Sequence, residues 1–331
     1  MGVAERRPLI EEIQTKRGNS RLICCLTSDR ENAQGLIAKD FLFRFFQHLR
    51  ATPNLEKLDI LLFTLGGDTL AAYALSRFVR QFAKKVGVLV PHMCLSGGTL
   101  FALGANDIVM TRLATLSSID PSITGLLNPV VEVTPGPGVP PQRMPVPVGV
   151  ESVAGFKKLV LDEWKLDHEG AAKAFSLLAD KVNPLLLGDL QRSKEQIVQL
   201  ATNLMKLHME DASKIKKVVE TLATRLGSHD YLIGPAEARE LDLQVTPENE
   251  ELEDLIWRLY EDFAEEMELG TPFDPGQAAQ AAIQQQQRGG QPVRKVVKLV
   301  MIESLAKADA WEREFLIMPP NQMQIVRNGW R

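Results

Sequence analysis

Three short segments of the 331-residue chain hold the residue types that acyl transfer needs. Leu62-Phe63-Thr64-Leu65-Gly66-Gly67-Asp68 is an apolar run ending in a glycine pair. Cys94-Leu95-Ser96-Gly97-Gly98-Thr99 sets a serine in a glycine turn, with small and apolar residues behind it. His229-Asp230-Tyr231-Leu232-Ile233, followed by Glu237-Ala238, puts an imidazole beside a carboxylate. A strand-end glycine lets backbone N–H groups approach a developing oxyanion with no Cβ in the way. A turn serine is a nucleophile once a base takes its proton. Each piece also has a plainer reading. A glycine pair is a common turn, and serine before a helix is a common N-cap. The Gly-x-Ser-x-Gly elbow is absent, because Cys94 stands where its first glycine would be.

The elements that must position these residues follow from hydrophobic spacing. Residues 21–27, 58–64, 86–90 and 107–110 are short apolar runs that read as buried strands. Residues 41–49, 69–82 and 97–104 have helical spacing between them. Such alternation predicts a parallel sheet with crossover helices. In a parallel sheet both glycine turns fall at the same edge. Further on, residues 134–147 carry six prolines in fourteen positions and predict an exposed, mobile flap near the serine. Helices are expected over 151–164, 169–178, 192–225 with a break near Ala212, and 235–241. Residues 248–269 form an acidic, solvated amphipathic helix, and the Gln- and Gly-rich stretch 270–292 reads as a linker. Residues 293–302 and 314–317 read as strands of a small extension. The expected organisation is a main domain over 1–247, the acidic helix, the linker and an extension over 293–331.

Composition narrows the classes. Apolar residues make up 45% and charged residues 24%, ordinary for a soluble globular protein. A net charge of −4 gives no electrostatic case for nucleic acid. Cys24, Cys25 and Cys94 show neither metal-ligand spacing nor a disulfide framework, which fits a reducing cytoplasm. No apolar run approaches the roughly 18 residues of a spanning helix, and the polar start is not a signal peptide. His168 and His208 sit among charged helical residues and read as solvated; His92 reads as structural. No cluster has metal-ligand spacing and no Gly-x-Gly-x-x-Gly fingerprint occurs, so no cofactor is expected.

Taken together, the segments resemble a family. Thr64-Leu65-Gly66-Gly67-Asp68 resembles the Ser/Thr-Pro-Gly-Gly turn of the signal peptide peptidase A and Clp-type serine peptidases. Ser96-Gly97-Gly98-Thr99, with Ala102-Leu103-Gly104-Ala105-Asn106-Asp107-Ile108 behind it, resembles their serine segment and the run that follows. Leu116-Ser117-Ser118-Ile119-Asp120-Pro121 is similar to the Leu-Gly-x-Ile-Asp-Pro segment of the subgroup called serine dehydrogenase proteinases. His229 to Ile233 with Glu237-Ala238-Arg239-Glu240-Leu241 is similar to their shared late segment.

The resemblance implies an α/β, Clp/crotonase-like spiral of ββα units, here with a C-terminal α+β extension. It implies a serine peptidase with Ser96 as nucleophile and the N–H groups of Gly67 and Gly97 as oxyanion hole. The base stays open. The Clp-type histidine position falls at Pro121, beside Asp120, and the first lysines after Ser96 are Lys157 and Lys158. The Glu237-Ala238 anchor puts Asp230 at the Clp triad aspartate, with His229 next to it. The implied partners are a peptide or protein substrate and further copies of the chain. Leu200, Leu204, Leu207 and Val218 are expected to form part of the self-association surface. The competing reading is a catalytically silent oligomeric scaffold or peptide-binding protein. A third, acyl-CoA chemistry, is hosted by the same fold elsewhere.

Overall fold

The apolar runs become strands because each is buried along nearly its whole length, as parallel strands covered on both faces require. The computed structural model describes residues 3–331 except 53, 120, 121, 124, 135–140, 248, 287–292 and 319–321. In chain order, the first elements are α1 (Val3–Lys16), β1 (Arg21–Thr27), α2 (Phe41–Leu49), β2 (Leu55–Phe63) and α3 (Thr69–Val79). Then come β3 (Ala83–Val90), β4 (Met93–Cys94), α4 (Gly97–Ala102), β5 (Asp107–Met110) and β6 (Thr115–Ser117). Short strands follow: β7 (Ser122–Ile123), β8 (Val130–Val133), β9 (Gln142–Pro145) and β10 (Val148–Gly149). Four helices come next: α5 (Val150–Lys158), α6 (His168–Lys181), α7 (Pro184–Met205) and α8 (Ala212–Glu220). The chain ends with β11 (Leu232–Ile233), α9 (Pro235–Glu240), α10 (Glu250–Met267), α11 (Pro275–Gln286), β12 (Val293–Ser304), β13 (Lys307–Met318) and β14 (Gln322–Trp330).

These elements form two compact units. The first comprises Met1–Ser117, Leu204–Glu210 and Leu232–Arg331. Its seven-stranded sheet has the order β14-β13-β12-β1-β2-β3-β5. Strands β1, β2, β3 and β5 are parallel neighbours. On the far side of β1 the sheet turns antiparallel: β12 pairs with β1, Cys24 facing Glu303 and Thr27 facing Val300. Residues 293–331, expected as a small C-terminal extension, supply three strands of the main sheet. A small sheet of order β11-β6-β4 lies in the same unit.

Helices α1 and α10 cover one face of the main sheet. Ile10 and Ile13 meet Leu255, Ile256, Leu259 and Phe263 over Leu22, Leu26 and Leu61. The acidic helix expected to be solvated thus buries its apolar stripe, while its first turn carries Glu250, Glu251 and Glu253, where the helix dipole favours negative charge. Arg6, fully buried, ties the layers together: Nη1 reaches Asp262 of α10 at 2.7 Å and Nη2 reaches Glu303 of β12 at 2.8 Å. Its guanidinium lies 4.2 Å above the Phe263 ring. The expected linker also differs, since α11 occupies residues 275–286; residues 287–292 lie outside those described.

The second unit comprises Ser118–Asn203 and Asp211–Tyr231. Val130–Val133 and Gln142–Pro145 pair as an exposed antiparallel hairpin. Part of the proline-rich stretch expected to be an irregular flap is therefore a strand, and residues 135–140 lie outside those described. Val148, Val150, Leu186 and Leu190 form a core of their own. A π-helical turn, Leu159–Glu163, continues α5. The break expected near Ala212 falls just before it, where Asp211 caps α8 by accepting from the Ser213 and Lys214 N–H groups. Leu204 and Val218, expected on a self-association surface, are each fully buried. Among the described residues no helix is long and apolar enough to cross a membrane.

Candidate active site

Ser96 closes β4 and opens α4 in a conformation that few residues adopt. Its φ is 49° and its ψ −112°. For a residue with a Cβ, such a backbone costs of order 1–3 kcal/mol and persists only where the surroundings enforce it. The plain N-cap reading is thereby set aside, because the Ser96 side chain makes no cap hydrogen bond to α4. Within its own unit, Ser96 Oγ has no hydrogen-bond partner among the described residues. Cys94, two residues earlier, does not compete as nucleophile. Burial pushes its thiol far up, so the thiolate that would react does not form.

The glycine pair sits directly against this serine. Gly66 and Gly67 have φ of 115° and 144°. A Cβ on Gly66 would stand 2.8 Å from Ser96 Cβ, and one on Gly67 would stand 2.3 Å from Ile37 O. One on Gly97 would stand 3.3 Å from the Gly67 nitrogen. At Gly66 and Gly67 no Cβ fits, whereas at Gly97 a neighbour would have to give by a few tenths of an ångström. The Ile37 N–H donates to Gly66 O at 2.8 Å and the Asp68 N–H donates to Ile37 O at 2.9 Å. In that parallel bridge the Gly67 N–H faces away from Ile37, toward the Ser96–Gly97 turn. Among the described residues neither the Gly67 nor the Gly97 N–H has an acceptor. Two unengaged donors beside a serine hydroxyl are what an oxyanion hole requires.

Threonine and serine hydroxyls that the sequence reading passed over hold both turns. Thr64 Oγ1, buried, accepts from the Gly66 N–H at 3.0 Å and from Thr27 Oγ1 at 2.9 Å. On the other side the Ser96 N–H donates to Ser117 Oγ at 2.8 Å. The Ser117 N–H donates to Thr99 Oγ1 at 3.0 Å, and Thr99 Oγ1 donates to Cys94 O at 2.8 Å. Ser117 falls in the Leu116–Pro121 segment that carries the resemblance, but its role is not legible there, because its partner depends on how β4 and β6 lie side by side.

Of the candidate residues, Ser96, Gly67 and Gly97 come together in the first unit. His229, Asp230, Lys157 and Lys158 belong to the second. There the His229 carbonyl accepts from Ser118 Oγ at 3.3 Å. Asp120 lies outside the described residues. His92 packs on Phe63 and Tyr260, with ring centroids 5.9 and 6.1 Å away. His208, expected to be solvated, is half-buried with Nε2 2.8 Å from Leu103 O, and burial lowers its pKa.

A second serine–histidine–aspartate arrangement exists in the first unit and competes for attention. His48 Nδ1 lies 2.8 Å from Ser304 Oγ, and His48 Nε2 lies 3.1 Å from Asp309 Oδ2. Each of the three is at most 3% exposed. Asp309 is also held by Lys307 Nζ at 2.9 Å and Arg44 Nη1 at 3.4 Å. A carbonyl cannot reach Ser304, and the carboxylate is already neutralised. This arrangement fastens α2 to the β12–β13 hairpin.

Residues 3–134 match the family model described as ClpP-like SDH-type serine proteinase. The resemblance seen in the sequence holds over that span, which contains both turns, and the fold is α/β and ClpP-like. The chain is 25% identical over 246 residues to the uncharacterised protein MJ0137 of Methanocaldococcus jannaschii, covering 72% of this chain and 73% of that one. It is 27% identical over 126 residues to MJ1495 of the same organism, covering 37% of this chain and 43% of that one. Two solved structures of the 1510-N membrane-bound stomatin-specific protease are similar at 15% identity. A serine-to-alanine mutant aligns over 66% of this chain and 78% of its own, with a TM-score of 0.38. A lysine-to-alanine mutant in complex with a substrate peptide aligns over 66% of this chain and 74% of its own, with a TM-score of 0.36.

Proposed function

With residues 3–134 matching the ClpP-like SDH-type serine proteinases as the premise, we propose that this protein hydrolyses peptide bonds through Ser96. Ser96 Oγ attacks the scissile carbonyl of a peptide or protein substrate. The Gly67 and Gly97 N–H groups receive the oxyanion. A base takes the serine proton and returns it to the leaving amine, and water then cleaves the acyl-enzyme. The observation that carries this reading is Ser96 itself: a serine held at positive φ against a glycine pair, with two unengaged N–H donors beside it. For the base we propose His229, with Asp230 beside it; Lys157 or Lys158 is the alternative. The three buried, free cysteines suit a reducing compartment such as the cytoplasm.

The scaffold reading is favoured by one observation, that Ser96 Oγ has no hydrogen-bond partner within its own unit among the described residues. A fluorophosphonate probe separates the two. The peptidase reading expects covalent labelling at Ser96 that Ser96→Ala abolishes. It also expects His229→Gln to slow labelling by about 10²–10⁴-fold if the imidazole is the base, with Lys157→Met and Lys158→Met doing so if a lysine is. Wild-type protein that resists the probe and leaves peptides intact is the scaffold.

A further inference from the structure

We propose that Ser117 is a positioning residue for Ser96: its hydroxyl holds the Ser96 N–H and thereby keeps the serine in its positive-φ rotation. The inference rests on the reading of Ser96 as nucleophile. It starts from where the Ser96 N–H points. Up to Leu95 the backbone follows the ladder beside β2: the Thr64 N–H donates to Met93 O at 2.9 Å and the Leu95 N–H donates to Thr64 O at 3.0 Å. The Ser96 N–H, next along the strand, points to the opposite side, toward β6, and there the chain turns to φ 49°. There it finds a side-chain oxygen, Ser117 Oγ, at 2.8 Å.

The acceptor is fixed in space on every side. Strand β6 is locked between β4, where Leu116 faces Cys94, and β11, where Ser117 faces Leu232. The Ser117 N–H is tied to Thr99 Oγ1, and Thr99 Oγ1 is tied to Cys94 O. The result is a closed hydrogen-bonded ring, Cys94–Leu95–Ser96 to Ser117 to Thr99 and back to Cys94. Ser117 is 1% exposed, and Cys94 and Thr99 are fully buried, so water has little room to replace the hydroxyl. Opposite the ring, Gly66 admits Ser96 Cβ on its other flank. Remove the Ser117 hydroxyl and a main-chain N–H loses its acceptor, which is costly in a partly buried place. The cheapest relief is for Ser96 to rotate toward negative φ. That motion swings Oγ away from Gly67 and Gly97 while leaving the sheets intact. Reaction rate is far more sensitive than folding to such a shift, since about 1 Å of misplacement can cost about 10²-fold.

The test compares full-length wild type, Ser96→Ala, Ser117→Ala and Ser117→Thr by three readouts. These are the rate of fluorophosphonate labelling at Ser96 across pH, the thermal midpoint, and amide hydrogen exchange over residues 94–98. Positioning predicts that Ser117→Ala labels about 10–100-fold more slowly, with the pH midpoint of labelling unmoved because the base is untouched. It predicts faster exchange confined to 94–98, and recovery of most of the rate in Ser117→Thr, which restores the acceptor oxygen. Labelling of folded Ser117→Ala at the wild-type rate overturns the proposal, whatever its thermal midpoint. Wild-type protein that does not label at all overturns the nucleophile assignment instead. In that case the exchange data decide whether Ser117 holds the turn: protection in Ser117→Ala equal to wild type removes that role too.

Discussion

At Gly67 and Gly97, one added methyl group probes two different demands. At Gly67 it meets Ile37 O at 2.3 Å and a φ of 144°, so both space and backbone refuse it. Gly67→Ala should cost about 3–5 kcal/mol of stability, the sum of a strained backbone and overpacking against main chain. At Gly97 the added carbon meets the Gly67 nitrogen at 3.3 Å and no strained φ. Gly97→Ala should keep a fold close to wild type in urea denaturation yet label more slowly at Ser96, because the methyl crowds the donor beside the serine. Equal stability loss in the two variants would argue that neither turn is specialised. Ser96 and Cys94 show the same logic by exposure and charge: the hydroxyl is poised at a turn, whereas the thiol is a buried core group.

The fastening of α2 to the β12–β13 hairpin depends on a neutral histidine. Burial holds His48 below the ordinary histidine pKa, against the pull of Asp309. Ser304, Asp309, Lys307, Arg44 and Arg21 are the polar and charged groups around it. In the unfolded chain His48 takes a proton near pH 6.5, and in the fold only at lower pH. Between those values the unfolded state binds more protons, so stability falls as pH drops below about 7. His92 and His208 are lowered by burial too and act in the same direction. His48→Gln should cost about 1–3 kcal/mol at pH 7.5 and reduce the slope of thermal midpoint against pH between 7 and 5. An unchanged slope would show that the hairpin is not held through this ring.

The same elements show what the sequence made legible. Strands β1, β2, β3 and β5 were readable because buried parallel strands are near-continuous apolar runs. The two glycine turns were readable because glycine is required there for a geometric reason. Helix α11 was hidden by the habit of reading Gln- and Ala-rich stretches as linker, although both residues favour helix. Helix α1 was hidden because its buried anchor is an arginine, a residue read as solvated until its acids are seen. The roles of His48 and of Ser117, although Ser117 lies in the Leu116–Pro121 segment, could not be read. Their partners are 256 and 21 residues away, and only the packed structure brings them within reach.

At the scale of the whole molecule, the proposed peptidase reading carries an expectation of self-association, with closed rotational symmetry as the default. Leu204 and Val218 cannot supply the contact, because the monomer already buries them. Light scattering at micromolar concentration should give a mass that is a multiple of the single chain; a strictly monomeric mass would count against assembly. The path to any such assembly begins with the order in which the ribosome delivers the parts. Arg6 and Glu303, which meet in the core, are 297 residues apart. At the usual pace of translation that separation is about 15–60 s. Until it has passed, β1 has β2 on one side and nothing on the other, with Cys24 and Cys25 along the open edge. A guanidinium waits in the first helix for its carboxylate. The glycine and serine turns belong to a stretch completed early, yet the sheet that carries them closes only when the last strands arrive. A nascent chain of this protein therefore spends its synthesis with an unfilled strand position, a natural docking place for a chaperone and a hazard if another nascent chain finds it first.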